Sequence, residues 1–352
     1  MRTVLLTTTS EMSDHRHEWE ELRRECRGTV YSSFDMVRAW FECYREDASP
    51  RVIMAEDRGE LVGLAPLSYH HYVSMGLPIR VLALPGEVRH KLWMATVSFM
   101  FRPGRDDALE TMVARARKVG WNTFTACHMI DNAETRRFIG AMRSRWKVVD
   151  HRMDKSVTLT FPEKGDIATM FERKARENLR NRAKKLEREK GDVSFRTLPP
   201  GEVEAAVEEY ARQHEERYSK KGGSIFRSPD NIQFLKAVMR AAMDQGYGFA
   251  HELRIDGQVA AQSFGFIDGD VVRPYRFGMN DAFTAYSPGW QLHHRSFSYF
   301  RDRGMRQCSL GAGDEAYKYR MGGVESQLLG IMVRRGAIGL VDRMARRLEA
   351  GR

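Results

Sequence analysis

The chain has 352 residues, of which 42% are hydrophobic and 30% charged, with a net charge of +10. That length exceeds one ordinary core and suits two domains, and the composition fits a soluble globular protein. No apolar run approaches the roughly 18–20 residues of a membrane span.

The opening "MRTVLLTTTSEMSDH" is too briefly apolar for a signal peptide. Cys26, Cys43, Cys127 and Cys308 show no CxxC or Cys/His ligand spacing, which predicts reduced thiols in a cytoplasmic protein and no structural zinc or other metal. The positive charge favours an anionic partner: a nucleotide, a CoA ester, RNA or a membrane surface.

In chain order, "TVLLTTT" reads as a strand and "HEWEELRREC" and "FDMVRAWFECYRE" as helices. "RVIMAED" and "ELVGLAPLSYHHY" read as a hairpin, and "IRVLAL" as a third strand. "DDALETMVARARKVG" is a helix, "NTFTACHM" a strand, and a further helix spans 133–146 before the halves join near Lys155. Next comes "MFERKARENLRNRAKKLEREKG". Here Arg173, Lys174, Arg176, Arg180, Arg182, Lys184, Lys185, Arg188 and Lys190 stand against Glu172, Glu177, Glu187 and Glu189. Phe171, Ala175, Leu179, Ala183 and Leu186 form one narrow apolar stripe at helical spacing, so the stretch predicts a basic helix with a single packing edge.

In the second half, "DVSFRTL" alternates as a strand. "GEVEAAVEEYARQHEERYSKKGG" reads as a helix closed by glycines, and Ser228-Pro229-Asp230 opens another that stops at Gly246. "YGFAHELRI", "QVAAQSFGFI" and "DVVRPYRFGM" are strands separated by Asp256-Gly257 and Asp268-Gly269, which are hairpin turn signals. A helix over 288–303 follows, then the strand "RQCSL", a polar loop, and a last strand "SQLLGIMVRR". The order β-α-α-β-β-β-α-β appears nearly alike in both halves, which predicts two similar domains. The closing "GAIGLVDRMARRLEAGR" reads as a short basic amphipathic helix that packs on its own domain.

Three places could carry chemistry. In "FGMNDAFTAYSPGWQLHHRSFSYF" a strand leads into a helix whose first turn holds Pro288 and Gly289. Unpaired N–H groups and the helix dipole there suit a pyrophosphate. A plain capped helix start, with Ser287 as N-cap, explains the same residues. "SLGAGDEAYKYRMGG" (309–323) places Asp314 and Glu315 as candidate bases, Tyr317 as a proton donor and Lys318 as an anion holder. A solvated Gly/Asp turn is the bland alternative, although ordinary turns seldom carry Tyr317 and Tyr319. At the glycine-rich helix end "EEYARQHEERYSKKGG", His214, Arg217 and Tyr218 stand close together, and a solvated or structural histidine is the alternative. The pairs His70-His71 and His293-His294 lack metal spacing, since neighbours do not share a face. No GxSxG, P-loop or GxGxxG word is present.

The second half resembles the GNAT acyltransferases, and within them the CelD-like branch linked by name to cellulose biosynthesis. The carrying words are "RENLRNRAKKLEREKG", "QHEERYSKKGG", "YSPGWQLHHRSF" and "SLGAGDEAYKYRMGG", in that order across 171–323. The tandem arrangement is similar to that of Fem-type aminoacyl-tRNA-dependent transferases. The resemblance implies an α/β (α+β) fold of two tandem GNAT-like domains, each a mixed, mostly antiparallel sheet flanked by helices. Residues 1–155 would form a domain that shapes the cleft without binding donor. Residues 156–334 would form the catalytic domain with its basic entry helix at 167–190, and 335–352 the terminal helix.

It also implies acetyl-CoA or another acyl-CoA as co-substrate, bound at Ser287, Pro288, Gly289 and Trp290. The usual GNAT donor loop has more glycines than this one. The acceptor would be a small-molecule or saccharide amine, in polysaccharide or cell-envelope metabolism. Asp314 or Glu315 would serve as base and Tyr317 as acid, with Lys318, His214, Arg217 and Tyr218 binding substrate. Two rivals stay open: an aminoacyl-tRNA-dependent transferase that uses the basic 171–190 helix for RNA or another anionic surface, and a non-catalytic degenerate binding module.

Overall fold

The protein was examined as a computed structural model that describes residues 1–74, 76–88, 91–94, 96–219, 222–336 and 338. It divides into two compact units, Met1–Asp154 with Gln327–Arg352, and Lys155–Ser326. The first break falls within one residue of the expected 155, but the strand at 327–334 groups with the first unit and not with the second. Among the described residues no helix is long and apolar enough to cross a membrane. The terminal helix expected over 335–352 lies outside the described residues apart from 335, 336 and 338.

The first unit runs β1 (Arg2–Leu6), α1 (Thr9–Ser13), α2 (Arg16–Glu25), α3 (Phe34–Cys43), β2 (Ser49–Pro50), β3 (Val52–Asp57), β4 (Glu60–Ala65) and β5 (Ser68–Ser74). It continues through β6 (Leu77–Ala83), β7 (Met100–Phe101), α4 (Asp106–Ala116), β8 (Thr123–Ile130), α5 (Ala133–Arg143) and β9 (Val148–Asp150). One sheet has the order β1-β3-β4-β7. In another, β5 pairs with β2 and β6, and β6 runs parallel to β8. Trp19, Phe34, Trp40, Phe41 and Tyr44 are fully buried and form much of its core. The stretch read as a single strand, "ELVGLAPLSYHHY", is two strands in two sheets. The break comes at Pro66, which has no N–H for a ladder and a fixed φ.

The second unit contains β10 (Asp154–Thr160), α6 (Arg173–Glu189), β11 (Val193–Thr197), α7 (Val203–Tyr218), α8 (Pro229–Asp244), β12 (Gly248–Ile255), β13 (Gln258–Asp268) and β14 (Val271–Met279). Then come α9 (Pro288–Arg301), β15 (Gln307–Ala312) and α10 (Ala316–Arg320); β16 (Val324–Arg334) begins here, and its residues from Gln327 on belong to the first unit. Its strand order is β11-β12-β13-β14-β15-β10. Every pairing in that series is antiparallel except β14 with β15. The Asp256-Gly257 turn has φ of 49° and 74°, both left-handed, as a two-residue hairpin turn requires.

Helix α6 forms as its stripe predicts. Phe171, Ala175 and Leu179 enter a core with Phe297 and Phe300, and Leu186 packs with Ile255, Ala260 and Phe283. The expected entry helix from 167 is interrupted, however. Ile167–Met170 is a separate 3-10 turn, and Phe171 and Glu172 are extended or non-helical before α6 starts. Two further elements were not foreseen. "KSVTLT" carries a period-2 pattern with Val157 and Leu159 buried, and it is the strand β10. The supposed loop after β15 contains α10, because the run from Ala316 to Arg320 has no Gly or Pro and ends on the basic residues Lys318 and Arg320.

Neighbouring residues on a strand point to opposite faces, and on β14 this separates two helix layers. Phe277 stacks on His293 of α9 at 4.2 Å. A Cβ on Gly278 would lie 2.7 Å from the Tyr210 ring of α7, so only glycine lets that ring lie against the strand.

Candidate functional site

The parallel strands β14 and β15 pair only at Val271 with Gln307 and Val272 with Cys308. Beyond those two pairs the ladder ends, while β14 continues to Met279 and β15 to Ala312. Just past the last pair the β13–β14 register shifts: Gly265 opposes Pro274 and Phe264 opposes Arg276, which leaves Tyr275 as an extra residue. Bulges of this kind release backbone groups from the ladder and often flank sites.

A 3-10 turn, Asp281–Tyr286, leads from the end of β14 to helix α9, whose first turn returns against Phe277 and Met279. Ser287 holds φ 52°, ψ 56°, a left-handed conformation unusual for a side-chain-bearing residue, and its hydroxyl makes no capping bond. Its carbonyl accepts from the Gln291 N–H at 3.2 Å. Pro288 has no N–H, and the N–H groups of Gly289 and Trp290 precede the first intrahelical bond. These two donors and the helix dipole suit an anion. Gly289 also has a packing role. Its missing Cβ would meet the Phe277 ring at 3.3 Å and Met279 Sδ at 3.4 Å, so glycine lets α9 approach β14. The Trp290 ring packs edge-on against Phe171 at 5.5 Å.

In the stretch 309–323, Gly311 and Gly313 take φ of 71° and 103°, so the chain reverses sharply after β15. Lys318 is 2% exposed. Its ammonium donates to the carbonyls of Gly311 (3.3 Å), Ala312 (2.7 Å) and Gly313 (3.1 Å) and pairs with Glu315 at 2.8 Å. The expectation that Lys318 holds a substrate anion is therefore corrected: its donors are spent on the turn. Glu315 is tied to the same clamp. Burial raises its carboxyl pKa, but the Lys318 bond, its own backbone N–H and the Lys318 charge together leave it below the ordinary value. Asp314 is exposed, and its charge acts on Lys155 and Tyr319. Tyr319 donates to Glu325 at 2.8 Å, and Lys155 pairs with the same carboxylate.

Tyr317 turns toward α9. Its ring lies parallel to His293 at 6.4 Å, so Phe277, His293 and Tyr317 form a row from β14 across α9 to α10. Burial, then Glu315 and Cys308, push its phenol up to about 12, which keeps the O–H protonated at neutral pH. Burial lowers His293 to about 4, so that ring is neutral.

At the end of α7, His214 Nδ1 lies 2.7 Å from Ser224 Oγ, and its ring stacks on Tyr218 at 4.3 Å. Burial, then the charges of Arg276 and Arg217, lower its pKa against the opposing pull of Glu215. Arg217 Nε is buried without a hydrogen-bond partner, and its nearest carboxylate, Asp281, stands 3.6 Å away. Arg276 lies over the Tyr275 ring at 4.0 Å and donates to the Tyr275 carbonyl at 2.9 Å.

The residues singled out from sequence thus fall into three groups. Tyr317 joins the α9 side through His293, Asp314 sits beside Lys155 and Tyr319, and His214, Arg217 and Tyr218 gather on the α7 side. Sequence reasoning missed Arg276, the Tyr275 bulge and the Phe277–His293 stack. A bulge leaves no periodic mark, and Arg276 read as an ordinary strand residue. Of the histidine pairs set aside, His294 bonds Asp166 at 2.9 Å. Among the described residues no group of three or more His, Cys, Asp or Glu is placed to hold a metal ion.

Residues 173–319 match the family model described as an acetyltransferase (GNAT) domain. No curated protein matches the chain. Among solved structures, FemX shares the fold with a TM-score of 0.64 at 11% identity, over 95% of this chain and 98% of that one. A conserved protein of unknown function from Bacteroides thetaiotaomicron gives 0.62 at 12% identity, over 95% and 100%. L-PGS from Bacillus licheniformis gives 0.54 at 11% identity, over 96% and 97%. At such identities these likenesses concern the fold, a mixed α/β architecture of sheets flanked by helices.

Proposed function

We propose that this chain is an N-acyltransferase that moves an acyl group from acyl-CoA to a primary amine by direct attack within a ternary complex. The observation that carries the reading is the divergence of β14 from β15 after Val272 and Cys308, with the α9 N-terminus against the end of β14, inside the segment that matches a GNAT domain. The backbone N–H groups of Gly289 and Trp290 would hold the donor pyrophosphate, with Ser287 and Pro288 shaping the turn.

A base takes one proton from the acceptor ammonium, the amine nitrogen attacks the thioester carbonyl, and the C–S bond breaks. Tyr317, kept protonated, supplies the proton to the leaving thiolate, and the second proton, shed from the nitrogen after attack, restores the phenol. With Glu315 engaged by Lys318, Asp314 is the carboxylate of this stretch left for the base or for anchoring the ammonium. Titration calorimetry with acetyl-CoA tests donor binding. Tyr317→Phe and Asp314→Asn should then lower kcat by roughly 10²-fold or more while the melting temperature holds. Full activity in both variants would sink the site assignment.

A second reading, an aminoacyl-tRNA donor, is favoured by one observation. Lys174, Arg180 and Lys184 are exposed on α6, whose apolar edge alone is buried. It requires tRNA binding that weakens steeply with salt and no binding of acetyl-CoA.

A further inference from the structure

We infer that the acceptor of this reaction carries an anionic group beside its amine, recognised by Arg217 and Arg276 on the α7 face of β14. The inference rests on the acyltransferase reading and adds the substrate class to it. Three observations lead to it.

First, Arg217 has an unmet hydrogen-bonding need. Among the described residues its buried Nε has no hydrogen-bond partner, and Asp281, half-exposed, stands beside it at 3.6 Å, beyond hydrogen-bond reach. That Nε–H loses water without regaining a bond, while the side chain is a quarter exposed, so an oxyanion arriving at the guanidinium would meet a donor not yet engaged.

Second, a second cation converges on the same place. Arg276 is half-buried, steadied by the Tyr275 ring and carbonyl, and its charge reaches both His214 and Tyr210. Of the carboxylates nearby, Glu215 already pairs with Arg227 at 2.6 Å. The groups facing His214 are therefore two arginines, Glu215, the Ser224 hydroxyl, and the rings of Tyr210, Tyr218 and Phe226. With Asp281 beside Arg217 and Arg227 beside Glu215, three arginines meet two carboxylates among the described residues, an excess of one positive charge.

Third, this cluster lies on the other face of the strand from α9. Phe277 points to His293 of α9, whereas Gly278, the next residue, points to Tyr210 of α7. An anion on the α7 face is thus separated by the sheet from phosphates held at the α9 N-terminus. It belongs to the other substrate. The fixed forks of two arginines suit a carboxylate or a phosphate, the two oxyanions that accept paired N–H bonds.

The test is thiol release from acetyl-CoA with matched amines: β-alanine against n-propylamine for a carboxylate, and glucosamine 6-phosphate against glucosamine for a phosphate. The expected result is a kcat/KM at least about 10-fold higher for the anionic member of one or both pairs, the size of one charge-assisted hydrogen bond. Whichever pair responds identifies the anion. Arg217→Met and Arg276→Met should each collapse the ratio within that pair. Should those variants fail to fold, the wild-type protein decides: propionate or inorganic phosphate should inhibit competitively against the amine and not against acetyl-CoA. Turnover of the neutral members equal to or above the anionic ones overturns this inference and leaves the acyltransferase reading standing. Absence of thiol release with every amine, together with absence of acetyl-CoA binding, overturns the acyltransferase reading itself.

Discussion

Replacing Lys318 by methionine separates a structural ammonium from a substrate-binding one. In the folded protein that ammonium is 2% exposed and satisfies three consecutive carbonyls at 2.7–3.3 Å together with Glu315. Methionine keeps most of the volume but strands the carbonyls of Gly311, Ala312 and Gly313. Breaking a buried charged pair costs about 3–5 kcal/mol. Glu315 is 59% exposed and rehydrates on loss of its partner, which lowers the figure to about 2–4 kcal/mol. At roughly 2–4 °C per kcal/mol for a unit of this size, the melting transition should fall by about 5–15 °C. Scanning calorimetry of wild type and Lys318→Met measures it. Activity should fall mainly through kcat, because Tyr317 sits one residue away on the same short helix. An unchanged melting temperature with a raised acceptor KM would mean that the ammonium serves the substrate and that the clamp is misread.

Two further perturbations probe the buried rings and the donor turn. Burial lowers His251 to about 3 and His293 to about 4, so both are neutral in the fold, while the unfolded chain titrates near 6.5. Folded pKa values below the unfolded ones cost nothing above pH 6.5. As pH falls from there toward 4, the unfolded state gains protons that the fold refuses, and stability drops by up to about 1.4 kcal/mol per pH unit for each ring. Urea midpoints should fall between pH 7 and pH 5, with a shallower fall in His293→Phe; a flat profile would exclude these buried neutral rings. Gly289→Ala places a Cβ 3.3 Å from Phe277 and pushes the first turn of α9 off β14 by a few tenths of an ångström. Stability should change by about 1 kcal/mol or less, since alanine's helix propensity offsets the strain, whereas the acetyl-CoA Kd should weaken several-fold. An unchanged Kd by calorimetry would remove the donor from this turn.

Much of the second unit was legible in the residues. The alternation in β12 to β14, Asp256-Gly257 between them, and the apolar stripe of α6 from Ala175 to Leu186 are local signals, set by backbone sterics and side-chain periodicity, and they form as read. Pro66 was legible too but was passed over, and it divides a strand between two sheets. What could not be read was where polar groups end their search for partners. Lys318 looked like an anion holder and is a backbone clamp. Arg276 looked like any strand residue and, through a bulge at Tyr275, lies where its charge reaches His214. Which of Phe277 and Gly278 faces the helix carrying Ser287 depends on the register of β13 against β14. Periodicity depends on neighbours a few residues away, so sequence carries it. The partner of a buried charge is set by desolvation among residues far apart in the chain, and only the packed structure brings those together.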